Sequence, residues 1–74
     1  MWKTIIKFKR EYKEEFEKIA SDIAEKDNTF IYKIENNDLI IENIDKAQAE
    51  KRKKWFYAVF TDKLIYTIVK ENGI

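Results

Sequence analysis

The sequence predicts an α+β protein of one domain, residues 1–74, ordered strand, helix, strand, strand and long helix, with an antiparallel sheet carrying its helices on one face. Three observations predict it: apolar residues at period two over 2–9, apolar residues spaced three and four apart over 11–26, and two β-rich runs around Asn36-Asn37. In WKTIIKFK, Trp2, Thr4, Ile6 and Phe8 share one face and Lys3, Lys7 and Lys9 the other, with Ile5 as an exception; this is the pattern of a half-buried strand. From Arg10 the period changes. Tyr12, Phe16, Ile19, Ala20, Ile23 and Ala24 form a stripe that Glu14, Glu15, Glu17, Lys18 and Glu25 avoid, so residues 11–26 read as an amphipathic helix ended by Asp27-Asn28. In NTFIYKIENNDLIIENI, asparagine tolerates positive φ, so a tight two-residue turn joins antiparallel strands over 29–35 and 38–44. Phe30, Tyr32 and Ile34 share a face of the first. On the second, Leu39, Ile41 and Ile40, Ile44 are all apolar, which implies burial on more than one side.

The last third opens with Asp45-Lys46-Ala47-Gln48, the spacing of an N-cap with a reciprocal capping residue, followed by strong helix formers in KAQAEKRKK. WFYAVF and LIYTIV are locally better suited to strand, with Thr61-Asp62-Lys63 as a turn between them. Against that hairpin, the turn contains no Gly, Asn or Pro, and Gly73, the only glycine, stands where a helix C′ glycine belongs, with Lys70 suited to the C-terminal dipole. The expectation is therefore a helix over 46–71. The alternative is a short helix followed by strands over 55–60 and 64–70, giving a five-stranded sheet.

Composition narrows the function. With no Cys and no His, disulfides, thiolate nucleophiles, His bases and the usual zinc sites are excluded, so no cofactor is expected. Fifteen basic and fourteen acidic residues lack the bulk basicity of a dedicated nucleic-acid binder. Asp62 and Lys63 split the best apolar run below the roughly 18 residues of a transmembrane helix, and MWKTIIKFKRE lacks a signal peptide's apolar stretch. The expectation is a cytoplasmic protein with no membrane role. Abundant Lys, Glu and Ile lean toward a thermophile or an AT-rich genome. Asp22, Glu25, Asp27, Asp38 and Glu42 sit among lysines and read as solvated charges, not as a metal or acid-base site.

A helix over 46–71 would be about 39 Å long against about 23 Å for a seven-residue strand. It would overhang its sheet and carry more apolar surface than that sheet can cover. Trp55, Phe56, Val59, Phe60, Leu64 and Ile68 are the expected partner interface, in a homo- or heterodimer formed through this helix. A strand, an acidic helix, a hairpin and then Asp45 opening a long final helix resembles the small dimerisation subunit of KEOPS, the complex that makes threonylcarbamoyladenosine on tRNA. The segment LIIENID, 39–45, matches that family's second hairpin strand and helix-opening acid, and Arg52 stands near its helical arginine. The resemblance implies bundles formed with a twin subunit and with the catalytic subunit, and at most indirect or weak tRNA contact. The family's Asn-Ser pair has no counterpart, because Lys53-Lys54-Trp55 occupies that region, which also fits a divergent paralogue that blocks or replaces one copy.

Two other readings stay open. Lys51, Arg52, Lys53 and Lys54 beside Trp55, Phe56 and Tyr57 combine phosphate neutralisation with base stacking, as in a small RNA or single-strand-binding module on a five-stranded sheet. A small inhibitor from a mobile element also fits the size and composition. Without a nucleophile-base pair, metal set or phosphate loop in the sequence, the expectation is a non-catalytic protein.

Overall fold

A computed structural model gives the fold and describes residues 1–71. In chain order the elements are β1 (Trp2–Phe8), α1 (Lys13–Lys26), β2 (Ile31–Glu35), β3 (Asp38–Asn43), α2 (Lys46–Phe60) and β4 (Leu64–Glu71), with 3-10 turns at Arg10–Tyr12 and Thr61–Lys63. The four strands are all antiparallel in the order β2-β3-β1-β4, so each helix crosses over one intervening strand. This is the ferredoxin-like, split-βαβ arrangement.

Both helices cover one face of the sheet. Thr4, Ile6 and Phe8 of β1 and Leu39, Ile41 and Asn43 of β3 are buried beneath Phe16 and Ala20 of α1 and Ala49 and Phe56 of α2. Phe8 stacks on Phe16 with ring centroids 4.8 Å apart, and Phe60 meets Phe16 edge-on at 5.3 Å, so the two helices join over the end of β1. The hairpin turn falls at Asn36-Asn37: Glu35 pairs with Asp38, and Asn36 has φ 55°, which asparagine accepts more readily than most residues.

The chain departs from expectation after Phe60. The final helix ends there, not near residue 71, and 64–71 is a strand; residues 55–60 stay helical, so the sheet has four strands and not five. Gly73, expected as a helix C′ residue, lies outside the described residues. The reason for the break is the edge of β1. With β3 on one side only, β1 would present a row of unpaired backbone groups on the other, and LIYTIV, rich in β-branched residues, fills that edge from Trp2↔Glu71 to Lys7↔Tyr66. The helix is stopped locally: Phe60 leaves helical geometry at φ −121°, ψ 24°, and the Thr61 hydroxyl donates to the Tyr57 carbonyl. Lys9 then anchors the turn, its backbone N–H donating to the Lys63 carbonyl at 2.9 Å and its ammonium to the Asp62 carbonyl at 2.8 Å.

Upstream of the break, the helix start is as the sequence predicts. Asp45 accepts from the Gln48 backbone N–H at 2.8 Å, and the Gln48 side chain accepts from the Ile44 N–H at 3.0 Å, one residue before the cap. Among the described residues, no helix is long and apolar enough to cross a membrane.

Candidate interaction surfaces

The fold separates the residues expected to form one interface. Phe56 and Leu64 are core, at 1% and 8% exposure, and Phe60 packs against the core. Trp55 and Val59 are exposed on the outer side of α2, whereas Ile68 is exposed on the opposite face of the sheet. The helical interface set is thus divided between two surfaces.

The basic run divides in the same way. Lys51 and Lys54 are exposed and Lys53 is half-buried. Arg52 is 13% exposed in its side chain and fully engaged. It donates to the Asn43 Oδ1 at 3.0 Å, the Glu42 carbonyl at 3.3 Å, the Thr29 hydroxyl at 3.2 Å and Asp27 Oδ2 at 3.4 Å, and its guanidinium lies 5.2 Å from the Phe30 ring centroid. Arg52 therefore ties α2 to the end of β3 and to the loop after α1. Asp27 serves the same junction, accepting from the Thr29 hydroxyl at 2.6 Å and its N–H at 2.9 Å. Those bonds, with the Arg52 charge, hold the Asp27 carboxyl below its ordinary value of 3.8.

Behind this clamp lies a buried polar network. Asn43 Nδ2 donates to the Trp2 and Ile41 carbonyls and to Thr4 Oγ1, and the Thr4 hydroxyl donates to the Ala49 carbonyl at 2.9 Å. Only a small residue at position 49 lets the α2 backbone approach β1 this closely. An open depression of about 510 Å³ lies beside the clamp, lined by Asp27, Thr29, Ala47, Gln48, Lys51, Arg52 and Trp55. Two of its charged lining groups, Asp27 and Arg52, already bond each other. Among the described residues no cluster of Asp, Glu, His or Cys is arranged to hold a metal.

The second surface is the open face of the sheet. Residues paired across strands point to the same side, so three rows can be written from β2 to β4: Ile31, Glu42, Lys3, Lys70; then Lys33, Ile40, Ile5, Ile68; then Glu35, Asp38, Lys7, Tyr66. The middle row carries three isoleucines in line, and no helix covers it. Ile31, Tyr66 and Ile68 are 58%, 45% and 40% exposed. Sequence reasoning did not single out Ile5 and Ile40 as surface candidates. Their signal was present, in the isoleucine that interrupts the alternation of β1 and in the apolar residues on both sides of β3.

Comparison with protein-family models, with curated proteins and with solved structures found no match.

Proposed function

We propose that this protein is a non-catalytic interaction module that binds another protein through the open face of its sheet. The observation that carries the reading is the uncovered row Ile40, Ile5, Ile68, bordered by charges of both signs. An apolar centre within a charged rim is the usual composition of a protein–protein contact. Single-stranded nucleic acid is held by aromatic platforms in a positively charged groove. Here Tyr66 is the only aromatic in the three rows, and three carboxylates share the surface with it.

A place in a KEOPS-type tRNA-modification complex is a different interaction reading, in which the final helix and not the sheet would dock. It rests on the order of elements through Asp45. The helix bundle it called for relied on a final helix longer than the observed Lys46–Phe60. The nucleic-acid reading is supported by one observation, exposed Lys51 and Lys54 next to Trp55, which is 47% exposed.

A photo-crosslinking residue placed in cells at position 68, at position 54 or at position 18 on the far side of α1 separates these readings. The expected result is protein adducts concentrated at 68. Nucleic-acid adducts at 54, with nothing at 68, would overturn the proposal in favour of an RNA-binding module.

A further inference from the structure

The three rows of the open face have a charge order that selects a partner. On the β2–β3 half stand Glu35, Asp38 and Glu42 with one lysine, Lys33; on the β1–β4 half stand Lys3, Lys7 and Lys70 with no acid. The boundary between the halves runs between β3 and β1, at the middle of the sheet. We propose that the occupant of this face is a second copy of the same chain, stacked sheet on sheet about a two-fold axis parallel to the strands and centred between β3 and β1. The inference rests on the preceding reading of the face and names its partner.

A two-fold axis along the strands keeps each row at its own height and reverses its order. Ile40 then lies over the other copy's Ile5, and Ile5 over its Ile40, so the centre of the apolar row covers itself, while Ile68 at the sheet edge lies over the other copy's Lys33. In the flanking rows Glu42 meets the other copy's Lys3, Asp38 meets its Lys7, and Glu35 meets its Tyr66, each contact occurring twice. Complementarity lies in the sign carried by each position and does not require any carboxylate to be unengaged in the free chain. Asp38, for example, already pairs with Lys7 of its own chain at 3.5 Å, and stacking would turn two such pairs into a four-charge cluster. A two-fold axis perpendicular to the strands would instead set the acidic half on the acidic half and the basic half on the basic half. Charge therefore selects the parallel axis, and like charges oppose the alternative. Face-to-face sheets pack within about 30° of alignment, which this axis permits.

The face is small. Four strands about 4.8 Å apart and three rows about 7 Å apart give a plane of roughly 19 by 20 Å. Counting both copies, the facing planes amount to about 760 Å², below the roughly 1,200 Å² at which specific stable interfaces begin, so a weak, concentration-dependent dimer is expected.

The test is sedimentation of the whole chain from micromolar to millimolar concentration, followed by two variants. Ile68→Lys sets a lysine over the other copy's Lys33, in a contact that occurs twice, and should raise the dissociation constant by roughly tenfold or more, since like charges facing each other across an interface are costly. Far-UV circular dichroism confirms that the variant is folded. The exchange K3E/K7E/D38K/E42K keeps the Lys7–Asp38 pair with its signs reversed and keeps the opposite-sign contacts of positions 3 with 42 and 7 with 38 across the two-fold axis. It should dimerise with itself as the parent does, yet fail to mix with the parent in native mass spectrometry, because each mixed contact would join like charges. Free mixing of the two, or an Ile68→Lys dimer as tight as the parent's, would overturn the inference. A parent chain that stays monomeric throughout would also overturn it. In that case, crosslinks from position 68 to a different protein would leave the interaction-module reading standing and assign the face to that protein.

Discussion

The two faces of one sheet carry different chemistry in this protein although they are made of the same strands. Beneath the helices, Thr4, Ile6, Phe8, Leu39, Ile41 and Asn43 are at most 2% exposed, and even the polar members bond each other or the backbone. On the opposite face the same strands offer isoleucines in one row and lysines and carboxylates in the rows beside it. The covered face is completed by the two helices, whereas among the described residues nothing covers the apolar centre of the open face. Stability is therefore concentrated on the covered side of the sheet, and the proposed interaction on the other.

The comparison breaks most visibly at Phe8. Phe8→Ala removes the ring that stacks on Phe16 at the centre of the covered face, and urea unfolding should show a loss of about 3–5 kcal/mol. Arg52→Ala acts at the border of that face. It leaves the Asn43 Oδ1 without its donor and unties the loop after α1, for an expected loss of about 1–3 kcal/mol. Thr4→Val keeps the shape but removes the hydroxyl that bonds Ala49 and Asn43, with an expected loss of about 1 kcal/mol. On the open face, Ile5→Thr should change the stability of the dilute chain by only about 0.5 kcal/mol or less while weakening self-association. A large stability loss from Ile5→Thr would mean the two faces are not distinct in the way described.

The smallest expected effect sharpens the border through pH. The Asp27 carboxyl is held below 3.8 in the folded protein, first by the Thr29 hydroxyl and N–H and then by Arg52. A depressed folded value means that its stabilisation is complete above the unfolded value and is lost as pH falls through the folded one. Thermal melts from about pH 5 down to about pH 2 should therefore fall less steeply for Asp27→Asn than for the parent. An identical acid limb would remove Asp27 from the clamp.

Local pattern made much of this molecule legible. The alternation in WKTIIKFK, the stripe from Tyr12 to Ala24, the Asn36-Asn37 turn and the Asp45 cap correspond to β1, α1, the hairpin and the start of α2. Each of these signals depends on residues within a few positions of one another. Arg52 is a different case. It stands in a basic run and reads as a surface charge, but its partners Asp27, Thr29, Glu42 and Asn43 lie far along the chain and meet it only when α2 docks on the end of β3. Neither its burial nor its structural role has a local signature.

The fate of residues 55–71 shows where sequence alone stops. By itself the sequence determined an α+β chain with β-prone residues after Lys63 and no Gly, Asn or Pro to mark a turn before them, and these two local preferences pointed in opposite directions. Tertiary structure decided between them. Trp55, Phe56 and Phe60 stay helical because, as a helix, they reach one another and Phe16, while Leu64–Glu71 becomes a strand because β1 has an edge that needs a partner. Tertiary structure also decided which isoleucines meet. Ile5, Ile40 and Ile68 are remote in sequence and adjacent in space because antiparallel register aligns them, and that register follows from which faces of β1, β3 and β4 are buried together, which no single strand encodes.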